Sequence, residues 1–290
     1  FVLGGRSVGP WLTAFAFGTS YFSAVIFVGY AGQFGWNFGL ASTWIGLGNA
    51  LIGSLLAWMV LGRRTRVMTQ HLDSATMPQF FERRFQSKAL KIAASAVIFI
   101  FLIPYTASLY NGLSRLFGMA FDIDYSVCVI VMAILTGIYV IAGGYMATAI
   151  NDFIQGIILV GGALLCLFWI VGGVDGGFTT IMDVAIDDQK FKILDFSLDP
   201  TKPVLWIAIL GGIANQLLTY TSDQSVIQRY ITVKDTSDTK KGLWLNGILS
   251  IPIAFIFFGI GTGLYVFFKQ NPDLLAVSMS NADSIFPHYI

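Results

Sequence analysis

The sequence predicts an all-α integral membrane protein of about seven transmembrane helices, and three observations predict it. Only 11% of the 290 residues are charged while 56% are hydrophobic, whereas a soluble domain carries charge on roughly a quarter of its positions. No charge falls between Arg6 and Arg63, between Lys91 and Arg115, or between Lys241 and Lys269, and each run exceeds the roughly 20 apolar residues that cross a bilayer. The basic residues that remain are sorted to alternate loops, as the positive-inside rule requires. The net charge of +1 carries no information here, because what matters is where the positive residues sit.

Apolar length, punctuation by Gly and Pro, and charge place spans A to G at roughly 10–34, 40–61, 92–117, 125–142, 150–173, 203–224 and 243–268. Together they form a single membrane domain over 1–290. Both ends look cut: FVLGGRSVGP is no signal peptide and NADSIFPHYI has no terminating feature.

Span A should be plainly apolar, yet its middle reads Gly18-Thr19-Ser20-Tyr21-Phe22-Ser23. These polar groups need internal partners in lipid. Close helix packing is one reading; an unwound segment whose carbonyls hold a cation is the other.

After span B comes a loop whose Arg63, Arg64, Arg66, Arg83, Arg84, Lys88 and Lys91 place it in the cytoplasm. Within it MPQFFERRF reads as a short amphipathic helix at the interface. Alternation then sets A, C, E and G running inward to outward. The connection from E to F, with Asp175, Asp183, Asp187, Asp188, Asp195 and Asp199, falls outside.

Pro104 in span C removes a backbone donor and predicts a kink beside Tyr105. Tyr105 either follows that kink or faces a cavity. Asp152, the one charge between Asp124 and Asp175, is either an interfacial carboxylate or part of an ion path. Span F carries Asn215, Gln216, Thr219, Tyr220, Thr221, Ser222, Asp223 and Gln224, too dense a polar run for a structural span, so it predicts a cavity wall. Two polar, interrupted segments opening successive halves of a chain point to a carrier's binding site.

Several chemistries find no support. Cys128 and Cys166 lie in apolar runs, and His71 and His288 stand alone in loops without ligand spacing. No nucleophile elbow, zinc-protease helix or phosphate loop occurs, which leaves nothing for an intramembrane hydrolase or an ATP-driven pump, and the reading is not an enzyme.

The motifs GGRSVGPWLTA, TSYFSA, MPQFFERRF, GGYMATAINDFIQ and DQSVIQRY, in this order and topology, resemble the sodium/solute symporter family. That family includes sodium/proline, sodium/pantothenate and sodium/glucose carriers. The resemblance implies two inverted five-helix repeats preceded by one extra helix, with sodium and solute held between the repeats. Residues 10–174 then correspond to the first repeat and 203–268 to the start of the second.

It further implies sodium bound by the backbone carbonyls of Thr19 and Phe22, which replace water with oxygen dipoles, the other ligands coming from an eighth core helix beyond this sequence. Asp152 lies on the sodium path and Arg6 at the cytoplasmic entrance. Tyr21, Ser23, Ile26, Gln216 and Tyr220 face the solute, and Tyr105 and Asp223 join Arg6 as gating or coupling residues. The proline carrier has an aspartate where this chain has Tyr21, and the sugar carriers have polar residues where it has Ile26. The tyrosine looks more like the pantothenate branch, and Asn151 stands where a threonine is usual.

The implied activity is symport of a small polar organic solute (sugar, amino acid or carboxylate vitamin) with sodium as coupling ion. No other cofactor and no nucleic-acid partner is implied, and the location is the plasma or bacterial inner membrane. Two alternatives stand beside it: the membrane half of a sensor histidine kinase, and a proton-driven carrier titrating Asp152 or Asp223.

Overall fold

The computed structural model describes residues 9–21, 34–192, 194–199, 204–233, 235–275 and 285–289. Its elements are helices α1 (Pro10–Tyr21), α2 (Gly35–His71), α3 (Met77–Phe85), α4 (Lys88–Phe121), α5 (Tyr125–Gly173), α6 (Gly177–Asp187), α7 (Leu205–Ser222), α8 (Gln224–Thr232), α9 (Thr236–Gln270) and α10 (Ile285–Tyr289). Among the described residues α2, α4, α5 and α9 hold stretches long and apolar enough to cross a membrane. The 49 residues of α5 would reach about 73 Å as a straight helix, far more than one crossing, so this element accounts for spans D and E.

The bend inside α5 falls at Gly144, whose φ of 58° and ψ of −150° no L side chain adopts comfortably. Asn151 Nδ2 donates to the Tyr139 hydroxyl at 3.4 Å. Twelve residues of straight helix would separate these two by about 18 Å, so the halves fold toward each other. The sequence predicted a connection over 143–149; one glycine is enough, because the flanking residues are all compatible with helix.

Span B is longer and less regular than predicted. It runs to His71, through Arg63, Arg64 and Arg66, and contains a tight turn at Gly39–Ser42 and wide π-type turns at Gly48–Gly53 and Trp58–Gly62. Nothing after Gly62 stops a helix until Asp73, where φ turns positive. MPQFFERRF is a helix as expected. Thr76 caps it by accepting from the Gln79 amide at 3.4 Å, and Gln79 Oε1 accepts in return from Ala75 at 2.9 Å, a reciprocal cap of the capping-box kind.

The predicted cytoplasmic connections meet at one end of the bundle and the predicted outer ones at the other. At the first end, Arg66 Nη2 donates to Val233 O at 2.7 Å and the Met77 amide to Gln224 Oε1 at 2.8 Å. Ala57, Trp58, Phe80, Ile227, Tyr230 and Leu243 form the apolar core there.

At the outer end, Gly39 breaks α2 (φ 65°) and frees carbonyls of the turn before it. The buried Lys190 ammonium caps them, donating to Trp36 O at 2.6 Å and Asn37 O at 3.0 Å while resting 4.0 Å from the centre of the Tyr265 ring. A Cβ on Gly39 would collide with Lys190 O. Burial pushes the Lys190 ammonium below its usual range. The hydrogen bond from Lys269 holds the neighbouring Asp188 carboxyl below the carboxylate range, and the Ser197 amide holds Asp195 down to about 2.

Candidate ion and solute site

Helix α1 packs into the angle between the second half of α5 and α9. Its closest approach is at Gly156, where a Cβ would lie 2.8 Å from Thr19 Cγ2 and 2.9 Å from Phe15 Cδ1. The Phe15 and Phe153 rings meet edge to face at 4.8 Å beside it. A cavity of about 30 Å³ opens here, lined by Gly18, Thr19, Gly156, Asn246 and Ser250 among others. The hydroxyls find partners within their own helices, Thr19 Oγ1 donating to Phe15 O at 2.8 Å and Ser250 Oγ to Gly247 O at 2.6 Å. Such back-bonding is how a hydroxyl survives in a lipid-spanning helix.

The second polar position lies between α2 and α7. The two helices approach closely because Gly48 and Gly53 have no side chains: a Cβ on Gly48 would stand 2.8 Å from Ala208 O, and one on Gly53 2.7 Å from Gln216 Cβ. This is small-residue packing of the membrane kind, and it coincides with the wide turn Gly48–Gly53. Gln216 is 1% exposed, and neither its amide oxygen nor its amide nitrogen has a hydrogen-bond partner among the described residues. Buried polar side chains are otherwise paired in the large majority of cases.

Tyr220 lies one turn further along α7, so it shares a face with Gln216. It is 3% exposed and packs into the inner aromatic cluster, 6.4 Å from Tyr230, which in turn meets Trp58 at 5.2 Å. The interruption expected around Tyr220 falls three residues later. Helix α7 continues to Ser222 and breaks at Asp223 (ψ 123°), whose carboxylate accepts from the Ser225 amide at 2.7 Å and the Ser225 hydroxyl at 2.6 Å. An aspartate side chain that caps the next helix competes with continuation of the previous one. Asp223 is therefore an exposed N-cap of α8.

Asp152 pairs with Arg229 of α8 at 3.6 Å; the guanidinium is 9% exposed and the carboxylate 17%. Arg229 Nη1 also donates to Ser225 O at 3.2 Å. Gly156 follows Asp152 by four residues, so the ion pair sits one turn, about 5.4 Å along the axis, below the cavity on the same face of α5.

The structure thus places Thr19 at the cavity between α1, α5 and α9 with Asp152 one turn from it, and Gln216 and Tyr220 on one face of α7, against α2 and the inner aromatic cluster. It places Tyr105 elsewhere: 54% exposed, on a stretch of α4 whose side chains all point outward. Arg6, Phe22, Ser23, Ile26 and the Tyr21 side chain lie outside the described residues. Sequence reasoning missed Asn246, Ser250 and Arg229. The first two had a signal, one carboxamide and one hydroxyl at i and i+4 in a span without charge; Arg229 looked like an ordinary loop cation.

The model of the sodium:solute symporter family matches residues 1–290. The osmoregulated proline transporter OpuE of Bacillus subtilis is 33% identical over 83% of this chain and 48% of its own length. The sodium/proline symporter of Salmonella typhimurium is 28% identical over 99% of this chain and 56% of its own length. The chain spans about half the length of these curated relatives. Its fold matches that of a Na+-coupled sialic acid symporter, solved in a substrate-bound outward-open state, with a TM-score of 0.85 and 24% identity over 100% of this chain and 60% of that one. The resemblance read from the five sequence motifs therefore holds, as do the all-α fold and the multi-pass membrane location: the chain belongs to the sodium:solute symporter family.

Proposed function

We propose that the chain forms the first repeat and the opening of the second repeat of a secondary active transporter that imports a small polar organic solute with sodium. Gln216 carries the reading. A carboxamide 1% exposed on a membrane-depth helix, with no hydrogen-bond partner among the described residues for either polar atom, is costly unless a bound molecule completes it. An amide both donates and accepts, which suits a solute with mixed polar groups.

Thr19 and Phe22 supply carbonyls to sodium, and Asp152 marks the inner end of the ion's route. Tyr21, Ser23, Ile26, Gln216 and Tyr220 surround the solute, and Arg6 and Asp223 act in gating. Sodium steadies the segment after α1, which favours the solute-ready state; the coupling is a difference in affinity between states. One charge moving inward through 100 mV supplies about 2.3 kcal/mol, enough for uphill uptake of a neutral solute.

Proline is the first solute to test, because the two relatives above carry it in their names. Tyr21, in place of the proline carrier's aspartate, makes pantothenate the second. The test is uptake by proteoliposomes holding the full-length protein, with an inward sodium gradient. Uptake of one solute at several times the rate seen with choline in place of sodium supports the reading; equal rates for every solute with the two cations would refute it.

A further inference from the structure

The cavity between α1, α5 and α9 has a polar lining that neither the carbonyl site at Thr19 and Phe22 nor the solute face of α7 uses. Asn246 is 4% exposed, and its carboxamide has no hydrogen-bond partner among the described residues. Its oxygen points at α1, since a Cβ on Gly18 would lie 3.2 Å from Asn246 Oδ1. The absent side chain of Gly18 is what leaves that oxygen room. Ser250 follows one turn later on the same face of α9, and Thr19 faces both from α1.

The chemistry of these three groups is uniform. Thr19 and Ser250 spend their protons on carbonyls of their own helices, so each presents lone pairs to the cavity. Asn246 presents its amide oxygen beside them. No Asp, Glu, Lys or Arg lines the space, whose volume is about 30 Å³. That volume holds a small ion with a water and excludes an organic solute, since one water already needs roughly 10–15 Å³ of such space. Converging neutral oxygens are what a hard monovalent cation takes in exchange for its hydration shell.

We propose that Asn246 Oδ1, Ser250 Oγ and Thr19 Oγ1 form a side-chain site for a sodium ion in this cavity, with Asn246 as the ligand that closes it from α9. The proposal deepens the sodium-coupled reading and rests on it. The site ties α9 to α1 through the ion, so sodium binding presses the second repeat against the first.

The test is thermal unfolding of the full-length protein titrated with sodium chloride, against choline chloride at equal ionic strength. Wild type is expected to rise in midpoint with sodium. In Asn246→Leu the sodium concentration for half the effect increases at least tenfold, while the midpoint in choline stays level or rises, because a buried unpaired amide has been replaced by an apolar group of similar size. Asn246→Asp keeps the oxygen and retains or strengthens the sodium response, and Ser250→Ala weakens it several-fold. Titrations of Asn246→Leu and Ser250→Ala that superimpose on wild type overturn the proposal while leaving sodium coupling intact. A wild type indifferent to sodium overturns both.

Discussion

Arg229 of α8 holds Asp152 of α5 at 3.6 Å, joining the second half of α5 to the short helix that follows the break after α7. With both groups mostly buried, removing one takes away the other's opposite charge. Asp152→Asn and Arg229→Gln are each expected to lower stability toward the 3 kcal/mol that a broken buried pair costs at the lower end of its range. The double variant should recover part of that loss. A double variant no more stable than the sum of the singles would show that the two groups act independently, and chemical denaturation of all four proteins measures it.

Gln216→Leu separates binding from folding. It is expected to reduce uptake at least tenfold while leaving the thermal midpoint unchanged or higher, because the buried amide has no partner among the described residues to lose. A fall in stability with uptake preserved would mark Gln216 as a structural residue.

Lys190→Met tests the outer clamp. The substitution fits the buried stem but leaves the Trp36 and Asn37 carbonyls without their ammonium cap. A loss of about 2 kcal/mol is expected, in the range for hydrogen bonds to a charged group. The same region should open locally, seen as faster hydrogen exchange at the Leu40 amide, which donates to Lys190 O at 2.9 Å.

Gly48→Ala probes the approach of α2 to α7. Its Cβ would stand 2.8 Å from Ala208 O and 3.0 Å from Ile209 Cα, backbone atoms that cannot swing away. Overpacking of this kind costs about 1–3 kcal/mol, so a lower thermal midpoint is the expected reading.

Acid should loosen the outer contacts around Asp188 and Lys269. Asp188 is held below the usual carboxylate value by its hydrogen bond from Lys269, so the folded state binds this proton more weakly than the unfolded chain. The stability it contributes is present above about pH 3.9 and is lost as pH falls through the lower folded value. Exchange protection in α6 and at Leu40 should therefore decline below pH 4 ahead of protection around Arg66, whose hydrogen bond to Val233 O involves no acid.

Composition and charge spacing made the fold legible, because a bilayer demands long uncharged runs whatever the tertiary detail. Boundaries were legible only where a breaker marked them. Asp223 shifted the end of α7 by capping the next helix, and Gly144 did the work expected of a whole loop. Asp152 and Gln216 stood out as polar residues in apolar surroundings. Arg229 could not, since its burial comes from a partner 77 positions earlier in the chain. The wide turn at Gly48–Gly53 was equally hidden, because it coincides with the close approach of α7 to Gly48 and Gly53, a tertiary contact that local propensity does not encode.

With Gly144 as the sole pivot between two membrane crossings, the junction has no slack. One residue inserted after it would turn the second crossing by about 100° about its own axis. Asp152 would then swing off Arg229 and Gly156 off Thr19 together, so the length of this corner sets the rotational phase of both contacts at once.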